Sequence, residues 1–291
     1  MYKRQNIPEA LDIIGQEVKP VNVAVLDTGS PYAVDPAFSR SIFDTEWGWD
    51  MVDNDALADD DEFPNGSFSH GTHVGSTISM LNDGIDGNGM AARVTPIRVC
   101  GGSGCPGSAT YGAYLYLNGD DNDSLTTFAQ RSAGQKLHSV NMSYGGSGGS
   151  ATSSACVKLG ELAEKGVLIA SSSGNSGIGS VGWPSSCPRV YSVGATNGTD
   201  RRSSYSSTNE YVAFSAPGGE YSDWNADGID DLVYAYARDD SYVQTSNNGN
   251  PLIGAQGTSM ASPHGAGFLG LIKYYYDCLL YTSPSPRDKT V

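Results

Sequence analysis

Residues 21–29, VNVAVLDTG, are a largely apolar run that ends at the carboxylate of Asp27. Such a run is typical of a strand buried on both faces of a parallel sheet. Similar runs recur at 94–99, 138–142, 167–170 and 190–195. Segments with helical spacing alternate with them, at 71–81, 109–117, 151–165 and 259–276. The alternation predicts an α/β fold with a mostly parallel central sheet.

Length and composition fit one large domain. The chain has 291 residues, of which 38% are hydrophobic, so it can bury a sizeable core. No apolar stretch is long enough to span a membrane. The net charge of −15 disfavours anionic partners, so we expect neither nucleic acid nor a membrane surface among them. We expect a monomer.

Three side chains along the sequence have the types and positions of a nucleophilic site. Asp27 follows a strand, where open α/β sheets place their chemistry. His70 opens a helical segment in the string SHGTHVG. Ser259, in the string GTSMASPH, precedes an apolar helix with Pro263 in its predicted first turn. A helix N-terminus favours an anionic intermediate, and a serine needs an imidazole and a carboxylate to become a nucleophile.

A fourth element could stabilise the anion that such a serine creates. The apolar run 167–170 is followed by Ser172-Ser173-Gly174-Asn175-Ser176-Gly177. An asparagine on a glycine-rich loop after a strand can donate a side-chain N–H to an oxyanion. Asn175 is therefore a candidate oxyanion-hole donor.

Together these motifs resemble the subtilases, the subtilisin-like serine proteases. The resemblance covers about residues 20–275, and its motifs are VNVAVLDTG (21–29), HGTHVGSTI (70–78), NMSYGG (141–146), ASSSGNSG (170–177) and GTSMASPH (257–264). It implies a three-layer α/β/α fold and protein or peptide substrates. It also implies that Asp27, His70 and Ser259 form the catalytic triad, and that Asn175 completes the oxyanion hole.

The resemblance assigns further residues to substrate binding. Ser143, Tyr144 and Gly145 would line the cleft as an extended edge. Gly174 and Gly182 would flank the first specificity pocket. The other three histidines receive no catalytic role: His73 is expected to support the first helix, His264 to pack, and His138 to lie on the surface.

Four cysteines remain when Cys278, near the end of the chain, is set aside: Cys100, Cys105, Cys156 and Cys187. An even number in a secreted protein indicates two disulfides, for which three pairings are possible. We favour Cys100–Cys105, which flank a glycine-rich turn, and Cys156–Cys187. Metal binding is the weaker alternative, because no His/Cys cluster has zinc spacing.

An acidic insertion has the spacing of a calcium loop. Asp223, Asn225, Asp227 and Asp231 stand at positions 1, 3, 5 and 9, with the carbonyl of Ile229 at position 7. The glutamate of an EF-hand is missing at position 12, so we predict a Ca²⁺ site of another type, with a merely acidic turn as the alternative. The resemblance implies a second Ca²⁺ site at 81–87, with Asp83 as a ligand.

The two ends of the chain do not fit the domain. Residues 278–291 lack periodicity, and back-translation of 278–288 and of 2–5 resembles the two strands of a transposase sequencing adapter. We therefore expect residues 1–5 and 278–291 to be foreign, the latter as an unpacked tail. Residues 6–277 would then be a C-terminally truncated catalytic domain. The family's signal peptide and pro-segment would lie upstream.

Two functions follow as hypotheses. The first is a secreted, calcium-stabilised serine endopeptidase that works through an acyl-enzyme. The alternative is a catalytically inactive subtilase fold that serves as a calcium-dependent binding module. For the enzyme, we expect a preference for large apolar or aromatic residues before the cut. The segment 170–187, which would build the pocket, contains no carboxylate to pair with a cation.

Overall fold

A computed structural model describes the central part of the chain. It covers residues 21–32, 43–60, 69–80, 92–120, 127–128, 132, 135–146, 150, 152–179, 182–224, 226–237 and 252–282. The strands are β1 (Val21–Asp27), β2 (Trp49–Asp50), β3 (Ala92–Arg98), β4 (Ser139–Met142), β5 (Leu168–Ser172), β6 (Val190–Thr196), β7 (Val212–Pro217), β8 (Val233–Tyr236) and β9 (Leu252–Ala255). The helices are α1 (His70–Met80), α2 (Gly107–Asn118), α3 (Ser154–Glu164) and α4 (Thr258–Thr282), with a short 3-10 turn at Thr45–Trp47.

Within this part of the chain, seven parallel strands form one sheet in the order β2-β3-β1-β4-β5-β6-β7. Strand β1 lies inside the sheet, with β3 and β2 toward one edge and β4 to β7 toward the other. A parallel sheet whose strand order switches in this way opens a crevice at the carboxyl ends of its strands. Asp27 is the last residue of β1 and lies at that crevice. Strands β8 and β9 form a separate antiparallel pair.

Alternate side chains of β1 face two different cores. Ala24 and Leu26 pack with α2 and α3, whereas Val21, Val23 and Val25 pack with α1 and α4. Because successive strand residues point to opposite faces, this division places helices on both sides of the sheet. The predicted three-layer α/β/α fold is confirmed.

The structure extends the predicted elements at several places. The short strands β7, β8 and β9 were not predicted, because runs of four to six mixed residues carry little periodic signal. Helix α4 continues past the predicted end at 276 to Thr282, so the first part of the predicted tail is helical. No proline or glycine interrupts the sequence there until Pro284. Residues 283–291 lie outside the described residues.

The structure joins Cys100 to Cys105 and Cys156 to Cys187, the pairing favoured from the sequence. The first disulfide closes a turn just after β3, and the second ties α3 to the loop before β6. Among the described helices, none is long and apolar enough to cross a membrane.

The three histidines other than His70 are buried. His73 Nε2 donates to Ile253 O at 3.0 Å and so ties α1 to β9, and His264 Nδ1 donates to Met260 O at 2.8 Å. The prediction that His138 lies on the surface is wrong, since it is only 8% exposed. Its Nδ1 accepts the backbone N–H of Asn22 at 3.0 Å, in place of a strand carbonyl. Burial lowers the pKa of His73 and of His264 to about 4, and it also lowers the pKa of His138.

The low pKa values of His73 and His264 predict how the free energy of unfolding changes in acid. An unfolded histidine binds a proton near pH 6.5, whereas folded His73 and His264 bind one only near pH 4. At these two positions the unfolded state therefore holds more protons between these values, so their contribution to the free energy of unfolding falls as the pH drops from 6.5 to 4. Each of the two histidines contributes up to about 1.4 kcal/mol per pH unit. Urea denaturation of the Ser259→Ala protein at a series of pH values measures this slope.

The matched variant is His264→Asn, whose amide can still donate to Met260 O but does not titrate. Its slope between pH 6.5 and 4.5 should be smaller by about 1.4 kcal/mol per pH unit. An unchanged slope would mean that His264 is already protonated in the folded protein.

Candidate active site

A hydrogen bond between Asp27 and His70 is the centre of the site. Asp27, at the end of β1, is 1% exposed, and His70 is the first residue of α1. His70 Nδ1 donates to Asp27 Oδ1 at 2.7 Å, and the backbone N–H of Thr28 donates to the same oxygen at 2.9 Å. The proton on Nδ1 leaves Nε2 as the basic nitrogen of the neutral ring.

The electrostatic surroundings of His70 favour its protonated form. Burial lowers the pKa of the imidazole, but the charge and hydrogen bond of Asp27 and the charge of Asp60 together raise it above its ordinary value. The ring edge remains partly accessible, with 27% of the side chain exposed. His70 is therefore a base that can take up a proton at the surface of a cleft.

Ser259 lies in the first turn of α4, which packs against α1. Its Oγ donates to Ser143 O at 3.1 Å, and Ser143 Oγ donates back to Ser259 O at 2.8 Å. The second bond depends on Pro263. The sequence predicted this proline in the first turn of α4, but it lies in the second. Proline has no N–H to give to the carbonyl four residues earlier, so Ser259 O is left for Ser143.

Two buried residues that sequence reasoning missed are bonded to the Ser143–Ser259 pair, Asn141 directly and Ser262 through Asn141. Asn141 Nδ2 donates to Ser143 Oγ at 3.0 Å, and Ser262 Oγ donates to Asn141 Oδ1 at 2.7 Å. Asn141 and Ser262 are both 0% exposed. The bonds join the end of β4 to α4 and so fix the position of Ser259. Both residues stand inside the motifs NMSYGG and GTSMASPH, but their separation of 121 positions hides the contact from a local pattern.

The side chain of Asn175 is oriented by the start of α4. Its Oδ1 accepts from both the backbone N–H and the hydroxyl of Thr258, each at 2.9 Å. Its Nδ2 therefore points away from Thr258. A Cβ placed on Gly257 would lie 3.6 Å from both Asn175 Nδ2 and Ser259 N. Both nitrogens thus lie close to Gly257, and a first-turn N–H such as that of Ser259 has no acceptor within the helix.

The segments predicted to bind substrate are adjacent. Gly146 and Trp183 exchange two backbone hydrogen bonds of 2.9 Å, which join the edge 143–146 to the loop that contains Gly182. A Cβ on Gly145 would come within 2.8 Å of Trp183 O, and one on Gly182 within 3.0 Å of Ser173 O. Only glycine fits this close packing of backbones.

Gly174 and Tyr144 are also among the residues predicted to bind substrate. Gly174 has a φ of +106°, and a Cβ there would lie 3.1 Å from Ser207 Oγ. The hydroxyl of Tyr144 is hydrogen-bonded at 2.9 Å to that of Tyr114 on α2.

The acidic insertion forms an exposed turn. Asp223 accepts the backbone N–H groups of Asp227 at 3.1 Å and of Gly228 at 2.8 Å, and Asp231 Oδ2 accepts that of Trp224 at 2.9 Å. The described residues contain no group of three or more His, Cys, Asp or Glu side chains arranged to hold a metal ion. Of the predicted calcium ligands, Asn225 and Asp83 lie outside the described residues.

Comparisons with known proteins agree with this arrangement. The profile of the subtilase family matches residues 19–286. Alkaline elastase YaB of Bacillus sp. (strain YaB) is 32% identical over 70% of this chain and 44% of its own length. M-protease of Shouchella clausii (strain KSM-K16) is 30% identical over 87% and 54%. Subtilisin Savinase of Lederbergia lenta is 30% identical over 87% and 76%. The chain thus spans about half the length of the first two relatives.

Solved structures share the fold. Proteases from Pseudoalteromonas arctica PAMC 21717 match 92% of this chain and 81% of theirs, with a TM-score of 0.69 and 27% identity. A cold adapted subtilisin-like serine proteinase matches 90% of this chain and 83% of its own, with a TM-score of 0.59 and 25% identity. Since the family profile covers most of the chain and the fold agrees, the chain belongs to the subtilase family.

Proposed function

We propose that this chain is a secreted serine endopeptidase with Asp27, His70 and Ser259 as its triad. The observation that carries the proposal is the 2.7 Å bond between His70 Nδ1 and Asp27 Oδ1. The bond lies at the carboxyl end of β1, and Asn175 Nδ2 and Ser259 N, the proposed oxyanion donors, both lie close to Gly257. Membership of the subtilase family supports it. The two disulfides support secretion, since such bonds persist in oxidising compartments.

In this mechanism the Ser259 hydroxyl turns from Ser143 O, to which it donates in this structure, toward His70 Nε2. Its Oγ then attacks the carbonyl carbon of a peptide bond while its proton passes to that nitrogen. Asp27 holds the ring and stabilises the imidazolium. The oxyanion receives hydrogen bonds from Asn175 Nδ2 and Ser259 N, which are worth several kcal/mol in the transition state. The C–N bond then breaks, and the amine leaves with the proton from His70. Water, deprotonated by the same imidazole, hydrolyses the acyl-enzyme and restores the serine.

The alternative, an inactive binding module, is less well supported. A fold kept only for binding does not need the catalytic side chains, yet all four predicted positions are filled. The buried network of Asn141, Ser143 and Ser262 also serves to hold one serine in place. We therefore favour catalysis.

Replacement of the nucleophile tests the assignment. Ser259→Ala should remove hydrolysis of a casein or peptide substrate, because it removes the proposed nucleophile and the nearby Ser262 hydroxyl is buried and bonded to Asn141, while its far-ultraviolet circular dichroism is unchanged. Asp27→Asn should lower kcat by about 10⁴-fold, since it disturbs the tautomer of His70. The control is Ser204→Ala, which removes an exposed hydroxyl distant in sequence from every catalytic motif. Hydrolysis by Ser259→Ala at the rate of the unmodified chain would refute the triad.

We propose broad specificity, with large apolar or aromatic residues preferred before the cut. A pocket that selects Lys or Arg needs a buried carboxylate, because an unpaired buried cation is costly. The segment 170–187 contains none. Cleavage-site profiling on a denatured proteome should therefore show Phe, Tyr, Leu and Met ahead of Lys and Arg. A profile dominated by Lys and Arg would contradict the proposed pocket.

We also propose Ca²⁺ as a stabilising ligand at the turn 223–231, and a pro-segment as a partner in folding. Support for the ion comes from the spacing of the oxygen ligands. The turn also carries the carboxylates of Asp223, Asp227 and Asp231 within nine residues, although in this structure they accept backbone N–H groups and are not grouped as metal ligands. The Asp83 segment is proposed as a second calcium site on the resemblance alone.

The proposed Ca²⁺ site predicts that removal of calcium lowers the melting temperature, which can be measured on the inactive Ser259→Ala protein. Addition of 5 mM EDTA should lower its melting temperature, because an ion that binds only the folded state stabilises it. Asp227→Ala should remove most of that difference. Asp230→Ala is the matched control, since Asp230 is exposed in the same turn but stands at no predicted ligand position. If Asp227→Ala responds to EDTA as its parent does, the ion does not bind this turn.

A further inference from the structure

A second carboxylate lies beside the Asp27–His70 pair. Asp60 is 7% exposed, and its Oδ2 accepts the hydroxyl proton of Thr28 at 2.8 Å. Thr28 directly follows Asp27, and its backbone N–H donates to Asp27 Oδ1 at 2.9 Å. One residue, Thr28, therefore contacts both carboxylates.

The hydroxyl of Thr28 is held from a second side as well. It accepts the backbone N–H of Gly71, the residue after His70, at 3.0 Å. The backbone N–H of Asp60 in turn donates to Ser30 O at 2.7 Å, which fixes the segment that carries Asp60 against the end of β1. The link from Asp60 through Thr28 to the start of α1 is thus rigid and largely buried.

We propose that Asp60 is a positioning residue that gives His70 a second anionic neighbour through the hydroxyl of Thr28. The inference rests on the proposed function, because it concerns the base of that mechanism. Asp60 does not touch the reacting atoms. Its carboxylate acts on the imidazolium that forms when Ser259 loses its proton, and its hydrogen bond to Thr28 fixes the turn between Asp27 and its neighbours.

Burial and the charges around Asp60 set the pH above which its carboxyl group is ionised. Burial raises the pKa of its carboxyl to about 6, the Thr28 hydrogen bond and Arg98 lower that pKa, and Asp27 and Asp59 raise it. The guanidinium of Arg98 is shared, since it also binds Asp50 at 2.8 Å and Asp53 at 2.5 Å. Asp60 is therefore ionised above about pH 6. In that range its charge raises the pKa of His70.

The direct test is the titration of His70 by NMR, in full-length Ser259→Ala protein with ¹³C-labelled histidine. The chain has four histidines, and burial lowers the pKa of the other three, so the resonance of His70 titrates apart from theirs. Asp60→Asn keeps an acceptor for Thr28 but removes the charge. The pKa of His70 should fall by about half a unit or more. Asp55→Asn, which removes an exposed carboxylate from the same segment, should leave it within about 0.2 units.

The kinetic readout uses the unmodified Ser259. The acidic limb of kcat/KM should move to lower pH in Asp60→Asn by the same amount, with KM at the plateau unchanged. Thr28→Val is the second variant and serves if Asp60→Asn does not fold. Without the hydroxyl, Asp60 loses the bond that favours its charged form, so the pKa of His70 should again fall.

An unchanged His70 titration in either folded variant would overturn the proposal. The NMR titration does not need peptidase activity. A failure of the proposed function would instead appear as an unmodified chain that hydrolyses no peptide, whatever the titration of His70.

Discussion

The buried carboxylate of Asp27 is the constraint on which the rest of the site depends. A carboxylate that is only 1% exposed is costly to bury unless hydrogen bonds compensate it. Those bonds must come from residues that follow β1. Thr28 N–H and His70 Nδ1–H supply them to Oδ1, which requires α1 to begin at the carboxyl end of β1, while Oδ2 is buried without a hydrogen bond from the described residues. The close approach of Gly71 to Gly29, where a Cβ would meet the carbonyl oxygen at 2.7 Å, follows from this demand. The arrangement that stabilises the buried charge is therefore the one that prepares the base.

The nucleophile is positioned by a different device. Pro263 leaves one carbonyl of α4 without its usual helical partner, and Ser143 from the loop after β4 takes its place. Asn141 and Ser262 close the connection beneath it, fully buried. The residue before α4 is also held, by the bond from Gly257 N to Gly218 O, and the Asn175 amide is fixed by the first turn of the helix. The proton acceptor and the nucleophile thus come from helices on one face of the sheet, while the strand ends supply the residues that align them.

Much of this follows from sequence and some does not. The strands β1, β3, β4, β5 and β6 and the pairing of His70 with Asp27 could be predicted, because each is marked by a local motif, whereas the role of Ser259 as nucleophile stays a prediction. The strands β7 to β9, the burial of His138 and the pairing of Asn141 with Ser262 depend on contacts between distant segments. The position of Pro263 was wrong for a related reason, since the sequence shows that a helix begins near Ser259 but not which residue begins it. The calcium ligands remain a prediction from spacing.

The central claim is that Ser259 is a nucleophile activated by His70. It is tested most directly by exposing the native chain to a fluorophosphonate at pH 8 and locating the adduct by peptide mass spectrometry. We expect one stoichiometric phosphonyl group on Ser259, and none when the chain is unfolded in urea or carries His70→Ala. No adduct on the folded chain, or an adduct on another serine, would contradict it.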